Sequence, residues 1–395
     1  MKYCILIIDG AAGLPLPEHG SKTCLELAHT PNLDAMAAEG ILGLVRTVPP
    51  GMEPSSACAC MSVLGYDPRV YYRGRASIEA GSMGIPIGED EAIFRCNLVA
   101  VRDGSMWSYS SGHISTEEAH ALVAALNESM GSDEVQFYPG VSYRHICKLK
   151  GDGTLQAVCT PPHDIPGKPV AEFLPHGPGS DILRDLMARS EVVFRDHPVN
   201  VARRARGDIP ATTIWLFWGS GQLPDMPAFK QVYGLGAAMT SGVDLLRGLA
   251  RMMGMETLDI KGVTDGPDND DAAQADGALK ALGERDLAVI HIEAPDEAAH
   301  SGSVEDKVEA LQRVDREVIS RLRSWQGDAF RVLIMPDHPT PIKVQTHTAD
   351  PVPFLLWGAG FMANGAKRFT EAEAEKTGLF IEEGYKIMGR LISVG

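Results

Sequence analysis

The stretch CILIIDG, residues 4–10, decides how the rest of the chain is read. An apolar run that ends in Asp9-Gly10 marks a buried strand followed by a turn. The run from Tyr3 to Ile8 is too short for a signal-peptide core and has no cleavage site after it, so a cytoplasmic protein that opens on a strand is expected. HTPNLDAMAAEG comes next, with Thr30 as N-cap, Pro31 at the first helical position and Gly40 just past the end. ILGLVRTV, 41–48, returns to strand. Such alternation favours a parallel sheet with helices on both faces. In these sheets functional groups gather beyond the carboxyl ends of the strands, where Asp9 stands.

The second half repeats the pattern. GVDLLRGLARMMG (242–254) has helical spacing, ETLDIKGV (256–263) reads as strand, and LAVIHIEAPDEAAH (287–300) is a strand running into an acidic loop. RVLIMPDH (331–338) and PFLLWG (353–358) supply two further apolar runs. Between them, roughly 68–228, the texture changes: YYRGRA, FRCNLVAV, QFYPGVSYRHICKLKG and EVVFRDHPVN read as shorter strands between turns. No repeat of about 20–50 residues is visible. The expected layout is a mostly parallel α/β core, 1–67 and 229–395, split by an inserted α+β domain at 68–228. Hinges are expected near Tyr66-Asp67-Pro68 and in the proline-rich segment 222–230.

Composition narrows the function classes. At 395 residues the chain is long for one core, so two domains are expected. Apolar content of 44% and charged content of 22% are ordinary for a globular protein. A formal charge of −16 argues against a nucleic-acid or anionic-membrane partner, although not against a local cationic pocket. No stretch reaches the ~18 apolar residues that span a bilayer. Seven cysteines without a small-domain pattern do not suggest a disulfide framework; Cys58 and Cys60 read better as small buried residues on a helix than as metal ligands.

Three strand ends, far apart in sequence, carry Asp9, Asp296 with His300, and Asp337-His338, with His347 a loop away from the last. Pro336 stops the strand before Asp337. Asp296 and His300, four apart, share a face if their segment is helical. A satisfied core histidine and a turn aspartate would explain any one pair. Their convergence on one sheet edge points instead to metal. Mixed carboxylates and imidazoles suit Mn²⁺ or Zn²⁺ better than Mg²⁺ or Ca²⁺. Three aspartates and three histidines suffice for two ions about 3.5–4 Å apart, the arrangement that clamps a transferring phosphoryl group. PPGMEPSSACACMSVLGYDP (49–68) offers Ser55 and Ser56 at a helix start, where free N–H groups face an anion. Either serine could equally be a plain N-cap.

Longer stretches carry a resemblance. The sequences SVLGYDPRVYYRGRASIEA, SSGHISTEEA, FYPGVSYRH, TPPHDIPGKP, HPVNVARRARG, APDEAAHSG and PDHPTPI…THTADPVPF, with the Asp-Gly at 9–10, resemble the archaeal type of cofactor-independent phosphoglycerate mutase. That family is a branch of the alkaline phosphatase superfamily, and the resemblance spans nearly the whole chain. It implies an alkaline-phosphatase-like core with an inserted substrate domain, interconverting 3- and 2-phosphoglycerate through a phosphoserine. It also implies two divalent ions, Mn²⁺ or Zn²⁺ before Mg²⁺ or Co²⁺, no 2,3-bisphosphoglycerate, and a small anionic phosphorylated substrate; oligomeric state is left open. Carried over by motif, Ser56 takes the phosphoryl group. Asp9, Ser56, Asp337 and His338 hold one ion, and Asp296, His300 and His347 hold the other. His113, His163, Asp164, Asn200 and Arg203 match positions that face the substrate.

Two departures accompany the resemblance. The serine motif usually reads Pro-Gly-Ser-Asp and here is Pro54-Ser55-Ser56-Ala57, while VTDGPDNDD (263–271) replaces a Thr-Gly-Tyr…Asp-Thr-Asn stretch. Bacterial relatives proposed as homoserine kinases give an alternative function in threonine biosynthesis. That reading needs a phosphate donor, and no G-x-x-x-x-G-K-[ST] loop is present. A third reading, a non-catalytic binding protein on the same fold, leaves seven candidate ligands without a purpose.

Overall fold

An unbroken apolar run is what a strand covered on both faces requires. β1 (Lys2–Ile8) has one, with every residue from Tyr3 to Ile8 buried. The computed structural model describes residues 1–222 and 225–393. It divides into two units, Met1–Tyr72 with Pro224–Gly395, and Arg73–Leu223. After β1 the first unit continues with the helix Pro31–Glu39, which starts on Thr30 and stops at Gly40, and then β2 (Ile41–Val45).

The second unit is built on β3 (Glu91–Arg102), β4 (Ser105–Ser108), β5 (Val135–Tyr138), β6 (Arg144–Lys150) and β7 (Thr213–Ser220). They form one antiparallel sheet in which the long β3 pairs with β4, β6 and β7. Helices Thr116–Met130 and Ser180–Arg195 cover it, burying Leu122, Leu126, Leu183, Leu186 and Phe194 with Trp215 and Phe217.

The chain then returns to the first unit with β8 (Ala237–Thr240), β9 (Glu256–Thr257), β10 (Leu287–Ile292), β11 (Phe330–Met335), β12 (Val352–Gly358) and β13 (Phe380–Ile381). These complete an eight-stranded sheet in the order β13-β2-β12-β11-β1-β10-β8-β9. All neighbours are parallel except β12, which runs against both β2 and β11. The α/β class with a mostly parallel core sheet is therefore as expected. No helix among the described residues is long and apolar enough to cross a membrane. All seven cysteines are free, and Cys58 and Cys60 lie buried on the helix Ser56–Val63.

Three local expectations are corrected. YYRGRA is not strand: Pro68–Tyr71 and Arg75–Ser82 are short helices, the first started by Asp67 and Pro68, separated at Gly74 by a backbone φ of 117°. EVVFRDHPVN belongs to the helices Ser180–Arg195 and Pro198–Arg206. Burial of Leu183, Leu186, Met187, Ser190 and Phe194 at helical spacing outweighs the strand preference of Val192-Val193. Within ETLDIKGV only Glu256–Thr257 is strand.

The chain passes from one unit to the other at 72/73 and 223/224, a few residues from the expected 67/68 and 228/229. Tyr66 packs edge-on against Tyr71 and Tyr233, and its hydroxyl donates to Pro227 O at 2.8 Å, so both flanking segments stay with the first unit. Residues 223 and 224 of the other expected hinge lie outside the described residues.

Candidate active site

β10, β1 and β11 lie side by side and parallel, so their carboxyl ends bring three distant segments together. Asp9 follows β1, and its N–H donates to Ile292 O at the end of β10. Asp296 and His300 are on the helix Ala294–His300, one turn apart, just after β10. Asp337 and His338 follow β11. The loops after β1 and β11 are tied by bridges from Ala11 and Ala12 to Pro339. Buried Lys307 adds to this by donating to Ala12 O at 3.1 Å and Thr340 O at 2.9 Å. Gly10 permits the convergence: its φ is +59°, and a Cβ there would meet Asp296 Oδ1 at 2.3 Å.

The seven residues expected to hold metal come together in two groups. His338 Nε2 lies 3.6 Å from Asp9 Oδ1, 3.3 Å from Asp337 Oδ2 and 3.3 Å from Ser56 Oγ. Asp296 Oδ2 lies 3.0 Å from His300 Nε2 and 3.6 Å from His347 Nε2. The His338 and His347 rings, 4.0 Å apart between centroids, join the groups. Asp9, Asp337 and His338 are fully buried and Asp296 nearly so.

The imidazoles are oriented from behind. His300 Nδ1 meets Gln345 O at 2.9 Å and His347 Nδ1 meets Pro54 O at 3.4 Å. A carbonyl only accepts, so both Nδ1 atoms carry hydrogen and each Nε2 is the nitrogen left to take a proton or a metal. Those two Nε2 atoms face each other at 3.0 Å beside Asp296. Two such nitrogens beside a carboxylate draw positive charge, a shared proton or a divalent ion, and the donor set is one a divalent ion fits. Thr340 Oγ1 stands behind His338 Nδ1 at 3.3 Å and donates to Asp296 Oδ1.

Electrostatics say the same. Burial, then the charges of Asp337 and Asp296, push the Asp9 carboxyl well above the usual range. Burial alone would raise Asp296 too, but hydrogen bonds from His300 and His347 hold it well below that range. Asp296 in return lifts His300 to about 9. Crowded carboxylates draw whatever positive charge is within reach.

The two serines separate cleanly. Ser55 is the N-cap of the helix Ser56–Val63, accepting from Cys58 N, and its Oγ lies 3.3 Å from the Tyr72 hydroxyl. Ser56, the first helical residue, points at His338. Ser55 thus takes an extended backbone, φ −156°, that glycine is not needed for.

In the second unit the expected substrate residues split. Asn200 and Arg203 are buried, with their polar atoms engaged inside the fold. Asn200 Nδ2 donates to Phe194 O and Ala211 O, while its Oδ1 accepts from Ala211 N. Arg203 donates to Ile209 O at 3.0 Å, Ser111 O at 2.8 Å and the Glu118 carboxylate. The loop after the helix Pro198–Arg206 supplies partners to both, through Ile209 O and Ala211. His113, His163 and Asp164 are exposed. His113 adopts a left-handed φ of 51°, a position that costs a side chain energy. Its ring meets Tyr143, which packs on Tyr109, which meets His163.

His291 and Glu293 were not anticipated as site residues. His291 Nε2 lies 2.7 Å from Asp9 Oδ2 and 3.6 Å from Glu293 Oε2. The available signal was a histidine inside the apolar run LAVIHI. VTDGPDNDD forms a loop whose Asn269 holds Gln274, and Gln274 in turn donates to His291 O.

The sequence model for 2,3-bisphosphoglycerate-independent phosphoglycerate mutase matches residues 37–200. A protein of that name from Methanothrix thermoacetophila is 46% identical over 396 residues, covering 100% of both chains. The chain belongs to this family. A Geobacter sulfurreducens protein, named a probable member, is 42% identical over 99% of this chain and 100% of its own. A solved Pyrococcus horikoshii protein superposes with a TM-score of 0.81 at 28% identity, covering 100% of this chain and 97% of that one. The family assignment from the motifs is thereby established.

Proposed function

We propose that this chain interconverts 3- and 2-phosphoglycerate by carrying the phosphoryl group on Ser56, in the cytoplasm and without 2,3-bisphosphoglycerate. The observation that carries the reading is Ser56 Oγ at a helix start, 3.3 Å from His338 in the first ligand group. In the proposed cycle the substrate's O3–P bond breaks as an Oγ–P bond forms on Ser56, and O3 takes a proton. Glycerate then presents O2, which gains the phosphoryl group while Ser56 recovers its hydroxyl. Asp9, Asp337, His338 and Ser56 would hold one divalent ion, and Asp296, His300 and His347 the second. Bound there, Mn²⁺ or Zn²⁺ would supply charge to stabilise the transferring phosphoryl oxygens. The chain's own part is to fix Ser56 on a rigid helix and hold the imidazoles by their Nδ1 atoms. His113, His163 and Asp164 remain the proposed substrate contacts of the inserted unit.

Metal-stripped protein reloaded with Mn²⁺ is assayed with 3-phosphoglycerate and, separately, with homoserine and ATP. Turnover of the first alone is expected. Turnover of homoserine alone would transfer the chain to the kinase reading, and inactivity toward both with intact folding would favour a binding role.

A further inference from the structure

A cavity of about 770 Å³ lies at the β13 edge of the core sheet, and no candidate metal ligand lines it. Its apolar lining includes Phe354 and Leu356 of β12, Ile41 of β2 and Phe380 of β13. The helix Ile387–Ile392 adds Gly389 and Arg390. Small-molecule sites share this character: about 300–1,000 Å³, mostly apolar walls and a few polar groups. Gly389 leaves part of the space open. Glycine inside a helix is a destabilising choice, and nothing local demands it: Gly389 has no left-handed φ, and a Cβ there would meet no atom within 4 Å.

The charges at the rim are unevenly matched. Glu382 pairs with Arg46 at 3.0 Å, and Glu383 pairs with Arg69 at 3.0 Å and with Lys386. Arg390 is exposed and has no ion-pair or hydrogen-bond partner among the described residues. An uncompensated cation thus stands beside an apolar floor, on a chain whose formal charge is −16. We propose that this cavity is an effector site for a small anionic amphiphile, a carboxylate with an apolar tail. The tail covers Phe354 and Leu356, and the carboxylate takes charge-assisted hydrogen bonds from Arg390.

Packed atoms connect the cavity wall to Ser56 and Asp337. Gly384 follows Glu383 and lies so close to the end of β2 that a Cβ there would be 2.9 Å from Thr47 Cα. Thr47 Oγ1 donates to Asp337 O at 2.5 Å. Thr47 O accepts from Ser62 Oγ at 2.5 Å, and Ser62 is on the helix that begins with Ser56. On the cavity's own helix, Met388 packs against Gly65, just beyond the end of the Ser56 helix. A ligand that presses on Glu383 or on the helix Ile387–Ile392 therefore bears on both residues. The effector role rests on the reading of Ser56 and Asp337 given above; binding does not.

The probe is decanoate, titrated calorimetrically below its micelle concentration, with decyltrimethylammonium as its cationic counterpart. One decanoate per chain and no binding of the ammonium are expected. Arg390→Glu should weaken decanoate roughly tenfold, and Gly389→Leu, which fills the space, should abolish binding. Both positions are exposed, and circular dichroism checks that the variants fold. No binding, equal binding of the two amphiphiles, or unaltered affinity in folded Arg390→Glu would overturn the site. A wild-type dimer that Gly389→Leu dissociates would give the cavity to a second copy and overturn it too. Should the variants not fold, the wild-type comparison of the two amphiphiles decides alone. Hydrogen exchange with decanoate tests the coupling: Thr47 and the helix Ser56–Val63 should slow more than Asp271–Ala281, a helix that lines none of the cavity. Uniform slowing, or none, would overturn the effector role. None of these readouts uses phosphoglycerate, so failure of this site and failure of the proposed reaction are told apart.

Discussion

Replacing Arg203 by alanine should destabilise the inserted unit rather than weaken substrate binding. Arg203 is 4% exposed, and its guanidinium is shared among Ile209 O, Ser111 O and Glu118. Truncation leaves two carbonyls without a donor. Glu118 keeps only Arg206, at 2.6 Å and half-exposed. Breaking a buried ion pair from one side costs about 3–5 kcal/mol. For a unit of this size, each kcal/mol lowers Tm by about 2–4 °C, so a fall of roughly 10 °C is expected. Lysine, a point charge without the planar fork, should recover only part of it. Thermal melts by circular dichroism measure the loss, and assays well below the new midpoint measure KM for 3-phosphoglycerate. An unchanged melt with a raised KM would refute the structural role and return Arg203 to the substrate.

Other outcomes follow from the same geometry. Ser56→Ala should abolish transfer, and mass spectrometry of quenched wild-type protein should find phosphate on the Ser56 peptide; Ser55→Gly, exchanging one good N-cap for another, should cost only a few tenths of a kcal/mol and keep activity. Thr340→Val removes the hydroxyl behind His338 and Asp296, so Mn²⁺ affinity by calorimetry should fall roughly 10–100-fold, and undiminished affinity would count against its orienting role. Burial depresses His145 to about 3. Below about pH 6.5 the unfolded chain gains a proton there that the fold refuses, so stability falls by about 1.4 kcal/mol per pH unit until pH nears the folded value. Urea midpoints for wild type and His145→Gln between pH 7 and 4.5 should diverge on this slope; parallel curves would exclude it.

The convergence of the acidic strand ends was legible because an apolar run that stops at an acid is a strand end, and parallel strand ends share an edge. Asp9, Asp296 and Asp337 needed no more than that. The spacing of Asp296 and His300 then placed both on one helical turn. Arg203 was not legible. A cationic helix face looks the same whether solvent or Ser111 O, ninety-two positions back, receives it. His291 went unnoticed because one polar residue inside LAVIHI does not break the strand pattern, and its partner Asp9 is a cross-strand neighbour. The reversed direction of β12 was equally hidden, since an apolar run carries no sign of which way it will be laid.

β1 has one more consequence, for synthesis. Its two neighbours in the sheet are β10 and β11, so Tyr3 waits for Leu287 and Lys2 for Phe330. At about 5–20 residues per second, the ribosome needs roughly 15–65 s to make that stretch. Residues 73–223 emerge complete in the interval and have all their own sheet partners. β1, made before either partner, is therefore among the last strands to be paired, and for that time an apolar segment with open edges stands ahead of a finished domain. A holding chaperone would find its target in the first eight residues, and slowing translation beyond residue 223 should lower the yield of folded protein more than slowing it before residue 73.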